Sequence, residues 1–184
     1  CEEEISQITS QAMRGELDFE TSLRARVALL KGLPVSVFDT VFKSIHLSKN
    51  AQEFISILQK KGILVGLVSG GFAPIVERLA KSLGISFFSA NQLEVKDGFL
   101  IGRLVGEIVT GQVKQATLEK WRKELKLPKE RTFAIGDGAN DLLMLKSAGR
   151  GIAFCAKEVV KAEIACHVDT RDFLEVLPLI DFLE

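Results

Sequence analysis

Residues 133–145, "FAIGDGANDLLML", run from an apolar strand pattern into a helical one across two glycines and two aspartates. Asp137 and Asp141 stand where the buried strand stops. Like charges about 4 Å apart repel by about 4 kcal/mol at an effective dielectric of 20. Crowding acids at such a point calls for a cation or a donor between them. Carboxylates of this kind suit Mg²⁺, which keeps several waters and takes one or two protein carboxylates plus substrate phosphate. A helix N-terminus by itself accounts for Asp141, since acids are favoured there, but not for Asp137.

Working outward, helical and strand patterns alternate through most of the chain. Ile5, Ile8, Ala12 and Met13 recur at helical spacing, with Gly15 as a break. A second helix follows Asp18, a suitable N-cap, and carries Leu23, Val27 and Leu30 up to Gly32-Leu33-Pro34. A third runs through Val37, Val41 and Ile45. Beyond "LSKN" the pattern predicts helix 50–61, a fully buried strand over "ILVGLVS" (63–69), helix 73–83 and a short strand near 86–88. "LEVKDGFLIGRL" (93–104) reads as a hairpin turning at Asp97-Gly98. Helix 113–125, strand 132–136, helix 139–147, strand 151–155, helix 157–163, strand 166–168 and a helix near 172–181 complete the series. The class is α/β, with a parallel sheet covered by helices on both faces. A helical portion (1–46) precedes an α/β core (47–184).

In open α/β sheets ligands bind beyond the carboxyl ends of strands. "LVSGGF" (67–72) ends a strand at Ser69 and leads through Gly70 and Gly71 into a helix. A hydroxyl, exposed amides and a helix N-terminus suit an anion, although a glycine turn also serves plain packing. Lys114 stands in the first turn of its helix, where the macrodipole disfavours a cation by roughly 0.3–1 kcal/mol. So small a penalty suits a solvated lysine, unless a phosphate sits nearby. "GDGAND" is no dinucleotide loop, because Asp141 replaces its third glycine. "GEIVTGQV" is no P-loop, because Gln112 stands where the lysine belongs.

Bulk composition excludes several classes. The 184 residues carry 24 Lys plus Arg and 24 Asp plus Glu, so no net field draws nucleic acid or an anionic membrane. Apolar runs fall far short of the ~20 residues that span a bilayer. The three cysteines lack CxxC spacing and read as free thiols of a reducing cytoplasm. His46 and His167 stand apart from any second ligand. Cys1, ahead of three glutamates that run into a helical pattern, is expected of a piece of a longer product.

Hydroxyl with glycines, lysine, then "GDGAND", in this order, resembles motifs two, three and four of the haloacid dehalogenase superfamily. "AMRGELDFETSLRARVALLKGLP" (12–34), "LVSGGF", "VKDG" (95–98) and "GIAFCAKEVVKAEI" (151–164) together are similar to the phosphoserine phosphatase family within it. The resemblance implies a Rossmann-like core with a small helical cap at 1–46. It implies Mg²⁺-dependent hydrolysis of L-phosphoserine through an aspartyl-phosphate, as the last step of serine biosynthesis, by a cytoplasmic monomer or homodimer with no nucleic-acid or membrane partner. On the matching positions, Ser69 and the Gly70 backbone would bind phosphoryl oxygens, and Lys114 would offset their charge. Asp137 would hold Mg²⁺, Asn140 would contact phosphate, and Asp141 would orient Lys114 and the metal's waters. Arg26 would grip the substrate carboxylate, with Met13 and Phe19 as apolar lid contacts.

The family's strand ending in Asp-x-Asp-x-Thr, the source of nucleophile and acid/base, has no counterpart in the 184 residues. Asp39-Thr40 and Asp169-Thr170 lack the preceding Asp-x. A chain of these residues alone is therefore expected to be inactive, with a central strand missing between those at 63–68 and 132–136. A related small-molecule phosphatase or phosphotransferase, and a non-catalytic phosphate-binding module, are the alternatives.

Overall fold

A computed structural model describes residues 17–180 together with Glu4, Gln7, Ile8 and Gln11. Met13, Ala12, Gly15 and most of the first helical pattern lie outside the described residues. Two compact units are present: the described residues up to Ile45 with Ser69–Leu79 and Ser89–Thr110, and His46–Val68 with Ala80–Phe88 and the residues from Gly111 onward. Among the described residues no helix is long and apolar enough to cross a membrane.

The first unit holds α1 (Phe19–Ala28) and α2 (Val37–Ser44). Asp18 starts α1 as expected, its carboxylate accepting from the Thr21 amide at 3.0 Å. β1 (Gly66–Phe72), β2 (Phe87–Lys96) and β3 (Phe99–Val105) form a three-stranded sheet in that order. β2 and β3 are the expected antiparallel hairpin. Asp97 and Gly98 both take positive φ at its turn, 51° and 82°, the conformation that makes Asp-Gly a hairpin dipeptide. Leu23 and Val27 of α1 pack with Ile108, Phe72, Leu93 and Leu104. Gly102 permits this closeness, since a Cβ there would meet the Ala28 carbonyl oxygen at 3.0 Å.

The second unit is built on the parallel sheet β4 (Phe133–Gly136), β5 (Arg150–Phe154) and β6 (Cys166–Val168). Its other main helices are α3 (Ala51–Lys60), α5 (Gly111–Glu124) and α6 (Leu142–Ser147); α4 (Ala73–Ser82) follows β1. Phe54, Leu58, Ile152, Phe154 and Val176 form one buried cluster. Ala134, Leu145, Ala153 and Val160 form another. The alternation of buried strand and amphipathic helix is what the sequence pattern predicts.

Three expectations are corrected. The strand expected over 63–69 runs instead from Gly66 to Phe72, taking in Gly70 and Gly71, and it is half-exposed rather than fully buried. It lies at the edge of its sheet, where one flank lacks a neighbour. Ile63 and Val65 pack against the core without joining a ladder. The short strand near 86–88 is the start of the long β2, and the helix near 172–181 is a 3-10 helix, Phe173–Leu179, containing Pro178. Among the described residues the strands form two sheets of three, with β1 and β4 each at an edge.

Candidate active site

At the carboxyl end of β4 the chain turns sharply through Asp137 and Gly138 into a 3-10 turn, Ala139–Asp141, and then α6. The turn folds Asp141 back under the strand end. Its Oδ2 accepts from the amides of Asp137 at 3.2 Å and Gly138 at 3.1 Å. Gly136 makes this possible: a Cβ there would stand 2.5 Å from the Asp141 Cβ. Its glycine is thus a requirement of the carboxylate's seat, which the apolar strand pattern did not single out.

The other oxygen, Oδ1, accepts from Lys114 Nζ at 2.6 Å. Only 8 % of either side chain is exposed. Lys114 is the one fully buried residue of α5, and a solvated lysine is therefore ruled out. The helix begins at Gly111, whose missing side chain lets it approach the Asn140 carbonyl oxygen, 3.0 Å from where a Cβ would lie. Desolvating an ion pair costs several kcal/mol per ion, and a pair of apolar residues is often as stable. Asp141 offsets part of that cost through its two backbone donors.

Asp137 and Asn140 are exposed. The Asp137 carboxylate makes no hydrogen bond or ion pair with any described residue, and it borders a cavity of about 290 Å³ that Ser48, Cys155, Arg171 and Phe173 also line. An unengaged carboxylate beside open space fits a Mg²⁺ that keeps several waters. Among the described residues no cluster of three or more His, Cys, Asp or Glu gathers to hold a metal. Beside the cavity, Asp172 accepts from Asn50 Nδ2 at 2.8 Å and pairs with Lys49 at 2.8 Å. These bonds hold its carboxyl below the usual carboxylate range, Lys49 contributing most. Cys155 and Cys166 are free thiols.

In the first unit, Ser69 Oγ accepts from the Gly71 amide at 3.0 Å. Phe19 reaches over the same stretch of β1: its Cζ lies 3.8 Å from where a Gly70 Cβ would stand. Arg26, half-buried on α1, uses Nε to donate to the Ser22 carbonyl oxygen at 3.3 Å. Its two terminal nitrogens have no partner among the described residues. Asn91, unremarked in the sequence pattern, is fully buried beneath this stretch of β1. Its Nδ2 donates to the Gly70 carbonyl at 2.8 Å, and its Oδ1 accepts from the Val109 amide at 2.9 Å. A polar residue with poor strand propensity inside β2 was the available signal. Lys114 and Asp141 are thus brought into contact in one unit, and Ser69, Gly70 and Phe19 gather in the other. Met13 lies outside the described residues.

The profile of haloacid dehalogenase-like hydrolases matches residues 3–146. The chain belongs to this family. Among its relatives, a phosphoserine phosphatase of Streptococcus thermophilus is 51 % identical over 178 residues, covering 97 % of this chain and 83 % of that one. The phosphoserine phosphatase of Methanocaldococcus jannaschii is 44 % identical over 179 residues, covering 97 % and 85 %. A substrate-bound phosphoserine phosphatase complex superposes with a TM-score of 0.89 at 43 % identity, covering 98 % of this chain and 86 % of that one. A haloacid dehalogenase-like hydrolase with the α/β fold described above is therefore the frame for the site.

Proposed function

We propose that the protein is a cytoplasmic phosphatase hydrolysing L-phosphoserine to L-serine and phosphate. The observation that carries this reading is the buried Lys114–Asp141 pair beside the unengaged Asp137 carboxylate. Its desolvation cost makes sense where anionic oxygens must be neutralised away from water. Relatives about half-identical to this chain bear the name phosphoserine phosphatase, which supports the choice of substrate.

In this reading Ser69 and the Gly70 backbone receive the phosphoryl oxygens, Lys114 offsets their charge and Asn140 contacts them. Asp141 keeps the ammonium aimed and orients the waters of the metal. Asp137 would hold Mg²⁺, which when bound supplies Lewis-acid stabilisation of phosphoryl charge. The terminal nitrogens of Arg26, without a partner among the described residues, suit a carboxylate, because a guanidinium can present a bidentate fork. Phe19 and Met13 supply the apolar wall.

Phosphoryl transfer depends mostly on positioning and charge neutralisation, and an aspartyl-phosphate divides it into two steps. The 184 residues contain no Asp-x-Asp-x-Thr, so a chain of these residues alone is expected to bind the ester without turnover. Calorimetric titration tests the substrate class. L-phosphoserine is expected to bind more tightly than phosphoethanolamine, which lacks the carboxylate, and Arg26→Ala is expected to erase that preference. Equal affinity for both esters in the unmodified chain contradicts the reading.

A further inference from the structure

Asn91 occupies a place where β2 would ordinarily carry an apolar side chain: only 1 % of it is exposed. A buried amide is costly unless its polar atoms are engaged. Here both ends are spent on backbone, on Gly70 and Val109, and on no side chain. The two bonds acquire meaning from the peptide unit they touch. In a trans peptide the carbonyl and the amide of the next residue point in opposite directions. The Gly70 carbonyl points to Asn91 Nδ2, and the Gly71 amide of the same unit points to Ser69 Oγ. A serine hydroxyl that accepts a bond still has its own proton to donate.

We infer that Asn91 is the positioning residue of the anion cradle: by fixing the Gly70–Gly71 peptide it seats Ser69 Oγ as an acceptor and leaves the Ser69 proton for a phosphoryl oxygen. Without the amide, this peptide can rotate, the Gly71 donor leaves Ser69, and the hydroxyl loses its direction. Glycine on both sides of the peptide gives no steric resistance to that rotation. The inference rests on the proposed role of Ser69 as a phosphate ligand.

Inorganic phosphate is the probe, titrated into the chain and followed by calorimetry, with L-serine as a second probe that lacks the phosphoryl group. Asn91→Leu is expected to weaken phosphate binding at least tenfold, to the level of Ser69→Ala, while L-serine affinity stays within twofold. The double variant is expected to be no weaker than Ser69→Ala, because the two residues act through one another. Unchanged phosphate affinity in Asn91→Leu, additive losses, or a parallel loss for L-serine overturns the inference. If Ser69→Ala leaves phosphate binding intact, the cradle itself is wrong; if only Asn91→Leu does, the inference alone fails. Should the leucine variant not fold, the unmodified protein decides: the side-chain amide protons of Asn91 are expected to resist hydrogen exchange before phosphate is added, and rapid exchange overturns the assignment.

Discussion

Lys114 and Asp141 are separated by 27 residues of chain and joined by one 2.6 Å hydrogen bond in a nearly dry setting. Removing one partner of such a pair leaves an uncompensated buried charge, a loss of about 3–5 kcal/mol. Lys114→Met is expected to lower unfolding stability by that amount in denaturant titrations, whereas a change within about 0.5 kcal/mol, as for an ordinary surface site, would mean the pair is solvated. Gly136→Ala probes the same carboxylate from beneath. Its new Cβ would drive Asp141 off the Asp137 and Gly138 amides, so a stability loss of about 1–3 kcal/mol is expected as overpacking. The two aspartates were legible in the sequence because acids after a buried strand are anomalous. The burial of Lys114 was not: a helix position states a charge, and the partner that desolvates it lies far away in the chain. Asn91 escaped notice for a similar reason, since nothing local says whether a polar strand residue faces water or a backbone.

Elements were read best where the chain carries its own stop signals. Asp18 and the Asp97-Gly98 turn fix α1 and the β2–β3 hairpin by local bonding and left-handed φ, and both appear as expected. β1 was misplaced by three residues and judged too buried, because whether a strand lies at a sheet edge depends on its neighbours and not on its own apolar run. Gly66 illustrates a further non-local demand, since a Cβ there would fall 2.5 Å from the Trp121 ring. Asn50 begins α3 at a φ of 59° and donates to Asp172. Glycine tolerates that φ and alanine does not, at roughly 1–2 kcal/mol for a residue with Cβ. Asn50→Ala is therefore expected to lower the melting temperature more than Asn50→Gly. Equal losses would place the value of Asn50 in its hydrogen bond alone.

Across the whole molecule the charges balance, and much of the surface electrostatics is paired. Asp172 is held low by Lys49 and Asn50, Asp169 by Lys161 and Glu163 by Lys146. For each, the folded form binds protons less readily than the unfolded one. Their contribution is present above the ordinary carboxylate range and is lost as pH falls through the lowered folded values. The melting temperature is expected to hold steady between about pH 7 and 5 and to drop below about pH 4, less steeply in high salt, which screens exposed pairs. A profile flat to about pH 3 would show that these contacts do not persist in solution. The family fold was legible from motif order, while the division of the strands into two sheets follows from pairing between distant segments. A crystal structure of the protein with Mg²⁺ and L-phosphoserine tests whether the Lys114 ammonium and the Asp137 carboxylate serve one phosphoryl group, as proposed. Asp137 is expected among the metal's ligands and Lys114 Nζ in hydrogen-bond reach of the phosphate. Asp137 turned outward, with Lys114 farther from the phosphate than about 10 Å, a Debye length at ordinary salt, would contradict it.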